Sequence, residues 1–244
     1  MDLGLAGRVA LVTASSRGLG RGAAAALAGE GCRVAICARG EAALAETAAA
    51  LRGAGAEVLA IPADVTDPAV PGQLVAATVE RFGGLHVLVA NAGGPPPGRA
   101  LDVDDDAIRA AVEANLLTSV RLVRAAVPHM RAGGWGRICL ITSVSVKEPI
   151  PGLALSNTAR AGLWGWAKTA AADLAPHAIT LNLACPGTHA TARARQVWAA
   201  DPDRPMGDPD DFGRVVAFLC SGPAAFISGA ALQVDGATSV HGLV

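Results

Sequence analysis

The chain has 244 residues, 52% hydrophobic and 17% charged, with a formal net charge of −1 and a sequence pI of about 6.5. The length suits one large α/β domain spanning 1–244. The balance of residues excludes an intrinsically disordered chain and gives no electrostatic basis for binding nucleic acid or acidic lipid. The cations are 18 Arg against only Lys147 and Lys168, and tyrosine is absent altogether.

Taken in order, short β-branched runs alternate with Ala/Leu-rich stretches. Residues 8–13 (Arg-Val-Ala-Leu-Val-Thr) predict a buried strand, followed by a Gly-rich turn and a helix over about 18–29. Strands at 33–38 and 56–62 alternate with helices at about 41–53 and 68–82. A fourth strand at 85–90 precedes the Pro/Gly loop 93–98 and a long helix over about 104–131. A strand at 137–142, a helix at about 155–175, a strand at 178–184, a helix near 209–220 and a strand at 231–235 complete the pattern. Apolar strands alternating with helices predict a parallel sheet covered on both faces, a Rossmann-type doubly wound α/β fold of about seven strands. The segment 188–208 has no strong strand pattern and predicts a lid after the sixth strand.

The cysteines, Cys32, Cys37, Cys139, Cys185 and Cys220, are odd in number, form no C-x-x-C pair and mostly sit in apolar runs. They predict reduced core residues, with neither metal nor disulfide. Residues 1–8 lack a signal-peptide pattern and no apolar run approaches membrane-spanning length. The expected location is the cytoplasm.

The turn after the first strand reads Thr13-Ala14-Ser15-Ser16-Arg17-Gly18-Leu19-Gly20. Glycines between a strand and a helix let backbone N–H groups and the positive helix end approach a pyrophosphate. The second strand ends Ile36-Cys37-Ala38-Arg39, with no acid to hold a ribose 2′-hydroxyl. Arg39 offers a planar cation suited to phosphate, with Arg17 on the adjacent turn. This favours NADP(H) over NAD(H).

These features resemble the short-chain dehydrogenase/reductase family, whose turn motif is T-G-x-x-x-G-x-G. Gly18 and Gly20 match, and Ala14 replaces the first glycine. The resemblance covers nearly the whole chain. It implies adenine contacts at Asp64 and Val65, and cofactor contacts at Thr13, Ser15, Ser16, Leu19, Asn91, Ala92, Gly93, Pro186 and Gly187. Thr191 falls where the family holds the carboxamide, and Asp235-Gly236 closes the last strand.

The family works with Asn, Ser, Tyr and Lys. Asn115 and Ser143 match. The tyrosine slot, 13 residues past the serine, holds Ser156, and the lysine slot four residues on holds Arg160. The spacing still places both on one helix face. A phenol with pKa of about 10 can be brought toward neutrality by a nearby cation, whereas a serine hydroxyl is a far weaker acid. Arg160 can hold ribose hydroxyls but relays no proton. Three proton sources remain: Lys147, four residues past Ser143; His189, at the lid base; or water acting through Ser143, Ser156 and Asn115. The alternative is a nicotinamide-binding regulatory or structural protein with little or no turnover.

On the substrate side, Arg99, Arg193 and Arg195 lie in expected rim loops and could receive a carboxylate or the phosphates of a carrier arm, while Leu153, Pro95 and Val146 suggest an apolar entrance. The chain looks closest to family members called 3-oxoacyl-carrier-protein reductases. The resemblance further implies a homo-oligomer, a tetramer or dimer, paired through helices 104–131 and 155–175. Trp164 and Trp166 sit on the second of these and cannot face the same side.

Overall fold

The computed structural model describes residues 1–199, 201 and 203–239. Seven strands form one sheet: β1 (Val9–Thr13), β2 (Arg33–Ala38), β3 (Val58–Pro62), β4 (Val87–Ala90), β5 (Gly136–Ile141), β6 (Ile179–Pro186) and β7 (Ala231–Val234). Their order is β3-β2-β1-β4-β5-β6-β7, and every neighbouring pair is parallel. This is the Rossmann-type doubly wound fold. The strand order reverses between β1 and β4, so the chain leaves these two strands in opposite directions and opens a crevice at their carboxyl ends.

The helices are α1 (Gly18–Gly29), α2 (Glu41–Gly53), α3 (Val70–Phe82), α4 (Asp105–Val112), α5 (Thr118–Ala132), α6 (Ala154–Leu174), α7 (Ala192–Val197) and α8 (Pro209–Leu219). β1, β4, β5 and β6 are wholly buried, because each carries apolar residues toward both faces. One core layer lies under α3, α5 and α6, and includes Leu88, Leu122, Met130 and Leu163. The other lies under α1, α2 and α8, and includes Leu27, Ile36, Leu44 and Phe212. Small residues let α1 and α8 meet closely: a Cβ on Gly213 would overlap the Gly22 carbonyl. All five cysteines are buried and free.

Two segments depart from the expected pattern. The long helix is not continuous, since a π turn over Glu113–Leu117 separates α4 from α5. Thr118 Oγ1 donates to the Glu113 carbonyl at 3.1 Å across the widened turn, and Asn115 stands inside it. The sequence keeps a helical pattern on both sides of the bulge and so reads through it as one helix. The lid segment contains α7 and an isolated bridge between His189 and Gly207, while its residues 200 and 202 lie outside the described residues. No helix among the described residues is long and apolar enough to cross a membrane.

Candidate active site

The crevice begins at the β1–α1 turn. Ala14 takes φ 48°, the left-handed conformation that glycine adopts without penalty. Asn91, just past β4, pins this turn. Its Nδ2 donates to the Ala14 carbonyl at 3.4 Å, and its backbone N–H donates to Thr13 Oγ1 at 2.9 Å. Thr13 Oγ1 in turn donates to the Asn91 carbonyl at 2.7 Å. Gly20 packs against this knot from beneath, where a Cβ would overlap the Ala14 carbonyl and stand 2.8 Å from Asn91 Nδ2. The absence of a side chain at Gly20 therefore lets α1 begin against the turn. The Ala14 conformation costs about 1–2 kcal/mol relative to ordinary helical geometry. Ala14→Gly is expected to raise stability by about 0.5–1 kcal/mol after the added unfolded-state entropy, a melting rise of roughly 1–4 °C. A lower melting temperature would contradict the strain assigned here.

Two adjoining hollows open above this knot, of about 500 and 730 Å³. They share Ala14, Arg17, Arg39 and Gly93 to Pro95 as walls. The smaller also reaches Ser16, Asp64, Val65 and Asn115. The larger reaches Gly18, Leu19, Asn91, Ala92, Ser143, Ser156, Arg160, Pro186, Gly187 and Thr191. Residues distant in sequence, at the ends of β1 through β6, thus meet along one crevice. Three of the anticipated cofactor residues do not line it. Thr13 and Ser15 are fully buried with their hydroxyls committed to backbone: Thr13 to Asn91, and Ser15 Oγ to the Val12 carbonyl at 2.9 Å. Gly20 lies beneath the turn. These three shape the wall from behind.

At one end, Arg39 and Asp64 approach to 3.8 Å with both side chains largely exposed. Asp64 Oδ1 accepts from the Thr66 N–H at 3.0 Å and from its hydroxyl at 2.8 Å. The Thr66 N–H holds the carboxyl below its ordinary range against a modest desolvation, with the Thr66 hydroxyl and Arg39 adding to the effect. Arg17 is exposed on the same rim. Two cations with only one carboxylate between them suit a phosphate.

At the other end, Ser143 Oγ accepts from the Ser145 N–H at 3.1 Å, which leaves its own proton to donate. Ser156 and Arg160, one turn apart on α6, are bonded: Arg160 Nε donates to Ser156 Oγ at 3.2 Å. Arg160 Nη1 donates to the Ile141 and Thr142 carbonyls at 3.2 and 2.7 Å, at the end of β5. Burial pushes the guanidinium down to about 10, Cys185 opposing and Arg193 adding to the shift. It stays charged at neutral pH. Asn115 is 4% exposed, and its Oδ1 has no hydrogen-bond partner among the described residues.

The candidate proton donors fare differently. Lys147 does not line either hollow; its Nζ reaches Gln233 Oε1 on β7 at 3.5 Å. His189 lines the larger hollow but is a buried pin, not a solvated lid residue. It is 6% exposed, stands edge-on to Phe212 at 5.1 Å, and its Nδ1 lies 3.3 Å from the Gly187 carbonyl. Nδ1 therefore carries the proton, and Nε2 packs 3.0 Å from where a Cβ of Gly207 would stand. Desolvation lowers its pKa, partly offset by that carbonyl and by Asp208 and Asp235. Neither residue presents an acid to the centre of the crevice.

His86, at the opposite, amino-terminal end of the strands, is likewise held neutral by burial, with Arg8 and Arg33 adding to the shift. Its Nδ1 accepts from the Val9 N–H at 3.0 Å. Both histidines have depressed native pKa values, so the unfolded chain takes up protons first as pH falls below about 6.5. Stability is expected to be full above that pH and to decline through pH 6 and 5. Melting curves between pH 7.5 and 5 test this, with His86→Asn expected to flatten the decline. An acid-side decline equal in the variant would contradict the role given to His86.

Of the other anticipated groups, Leu153 and Pro95 line the larger hollow, while Val146 is in the core. Arg99 is exposed and paired with Asp102 at 3.9 Å, and Arg195 lies outside both hollows. Arg193 crosses from α7 to the Pro95 carbonyl at 2.6 Å. Arg204, not anticipated, also lines the larger hollow, donating to Thr188 Oγ1 at 3.0 Å and lying 4.0 Å over the Trp198 ring. Only its position within the lid could have drawn notice to it. Trp164 and Trp166 both pack partly buried against the core layer beneath α6.

Residues 13–239 match the family model for enoyl-(acyl carrier protein) reductase. The human dehydrogenase/reductase SDR family member 4 is 32% identical over 245 residues, 96% of this chain and 88% of that protein. Among solved structures, L-sorbose reductase from Gluconobacter frateurii, in complex with NADPH and L-sorbose, superposes with a TM-score of 0.91 at 30% identity, covering 97% of this chain and 98% of that one. A candidate short-chain alcohol dehydrogenase from Sinorhizobium meliloti gives 0.89 at 34% identity, covering 97% and 98%.

Proposed function

The chain belongs to the short-chain dehydrogenase/reductase family, and on that footing we propose that it is an NADP(H)-dependent oxidoreductase. In this reading it reduces a carbonyl, a ketone or 3-oxoacyl thioester, or oxidises the matching alcohol, without a tyrosine. The observation that carries the reading is the crevice itself. A turn closed over Gly20 leads past Ser143 and Ser156, with Arg17 and Arg39 at its far rim.

The residues present fit a nicotinamide dinucleotide. Gly18 lines the crevice, where a Cβ would crowd Thr191 Cγ2 at 3.1 Å, and the buried Asn115 Oδ1 lacks a donor among the described residues. Arg17 and Arg39 would hold a 2′-phosphate, Asp64 and Val65 the adenine, and Gly18 and Leu19 the pyrophosphate at the α1 N-terminus. Asn91 to Gly93, Arg160 and Thr191 would line the nicotinamide half. The bound cofactor supplies the hydride.

The protein's own groups account for the rest. Ser143 and Ser156 each accept a hydrogen bond from the protein and so retain a hydroxyl proton to orient a carbonyl oxygen. Arg160 donates to Ser156 Oγ and so polarises that hydroxyl toward the negative charge developing on the oxygen. A serine hydroxyl is too weak an acid to give up its proton outright near pH 7. With Lys147 and His189 turned to other partners, water is the proton source. It protonates the alkoxide through the serine hydroxyls, and the hydroxide formed passes to bulk solvent. Loss of a matched acid costs roughly 10²–10⁴-fold in rate, so the enzyme is slow but competent.

The lock between Arg160 and Ser156 also supports a second reading, a nicotinamide-binding protein with little turnover. NADPH oxidation against ketones, diketones and 3-oxoacyl thioesters separates the two. The enzyme reading expects turnover that falls on Ser143→Ala, whereas binding of NADPH without turnover of any substrate supports the second. The enzyme reading further has residues 1–244 acting as one unit, in the cytoplasm, as a homo-oligomer paired through α5 and α6. Sedimentation equilibrium showing only monomer would refute that assembly.

A further inference from the structure

We propose that the substrate reduced here is an oxo acid, whose carboxylate settles between Arg160 and Arg193. This rests on the reading of the site as a carbonyl-reducing one. Arg160 has neutral partners only: Ser156 Oγ and the Ile141 and Thr142 carbonyls. Among the described residues its Nη2 makes no hydrogen bond and no carboxylate lies within ion-pair distance. Carbonyl dipoles orient a guanidinium without neutralising it, so a cation remains in a poorly hydrated place, which is costly until an anion arrives.

Arg193, exposed at the mouth of the hollow, likewise has no carboxylate partner among the described residues. One nitrogen donates to the Pro95 carbonyl. Both guanidiniums line the hollow that contains Ser143 and Ser156, and the charge of Arg193 adds to the lowering of the Arg160 pKa. An anion between them offsets both charges and completes two charge-assisted sets of hydrogen bonds. Arg204 differs, being already within 3.6 Å of Asp201. Arg17 and Arg39 belong to the far rim. A small molecule bearing both a carbonyl and a carboxylate therefore reaches the serine hydroxyls with one group and the two arginines with the other.

The same cations could instead meet the cofactor's pyrophosphate, and the experiment separates these sources. Pyruvate, acetoacetate and levulinate are compared with their methyl esters at saturating NADPH. For at least one spacing, kcat/KM for the acid is expected to exceed that for its ester by roughly 10–100-fold. Arg193→Met should bring this ratio toward one, and Arg193→Lys should retain part of it. Calorimetry with NADPH-loaded protein gives a readout free of turnover: the favoured acid binds more tightly than its ester, and Arg193→Met removes the difference. Esters that equal or surpass the acids in both assays overturn the proposal, as does a variant that weakens NADPH but leaves the acid preference intact. If no probe is turned over, the carbonyl-reducing reading fails on its own. Calorimetry then still decides the carboxylate site, supported by acid binding without ester binding and overturned by its absence.

Discussion

Replacing Ser156 by tyrosine and Arg160 by lysine together is expected to raise the rate of NADPH-driven carbonyl reduction by roughly 10²–10⁴-fold. The magnitude is that of restoring one matched acid. Arg160 now donates through Nε to Ser156 Oγ and through Nη1 to the end of β5. It polarises a group that cannot deliver a proton. A lysine there would place a cation beside a phenol and lower its pKa toward neutrality. Ser156 already lines the larger hollow, of about 730 Å³, so a ring projecting from this position enters open space. Ser156→Tyr alone should give a smaller gain, because Arg160 would remain tied to the carbonyls of β5. Stopped-flow measurement of NADPH consumption, with cofactor affinity as a folding control, checks the result. An unchanged rate in a variant that binds NADPH normally would mean that proton supply does not limit turnover.

The second large effect concerns cofactor choice. Arg39→Asp is expected to weaken NADPH binding by roughly 10–100-fold, since a charge-assisted contact to phosphate is lost and a repulsive charge takes its place. NADH affinity should hold or improve, because an acid at the end of β2 can accept from a ribose 2′-hydroxyl. The nearby Asp64 sharpens the contrast. It sits 3.8 Å from Arg39 and is kept ionised by Thr66. Removing the cation would leave two carboxylates facing the phosphate. Fluorescence titration of both nucleotides measures the ratio. A wild-type protein that binds NADH more tightly than NADPH would reject the assignment of Arg17 and Arg39.

The sheet and most helices are legible in the sequence because strands buried on both faces leave continuous apolar runs. β2, α1 and α2 begin and end where the residue pattern does. The π turn around Asn115 is not legible, because the residues on both sides of it keep a helical pattern. At the candidate site, the residue types and their chain order can be read, but their commitments cannot. Thr13 and Ser15 look like ligand-facing hydroxyls until β2 and β4 are placed beside them. Arg160 and Ser156 can be paired by helical spacing, whereas the carbonyls of Ile141 and Thr142 belong to another element. His189 likewise reads as a lid residue until Phe212 and Gly207 enclose it.

The most direct test of an NADP(H)-dependent reductase without tyrosine is isotopic. The protein would be incubated with NADPH dideuterated at nicotinamide C4 and with neutral and acidic carbonyl probes, and the alcohol products analysed by mass spectrometry. The expected result is one deuterium on the carbinol carbon, with a rate of labelling that falls in Ser143→Ala. Carbinols free of deuterium, or no alcohol from any probe while NADPH is bound, would contradict it.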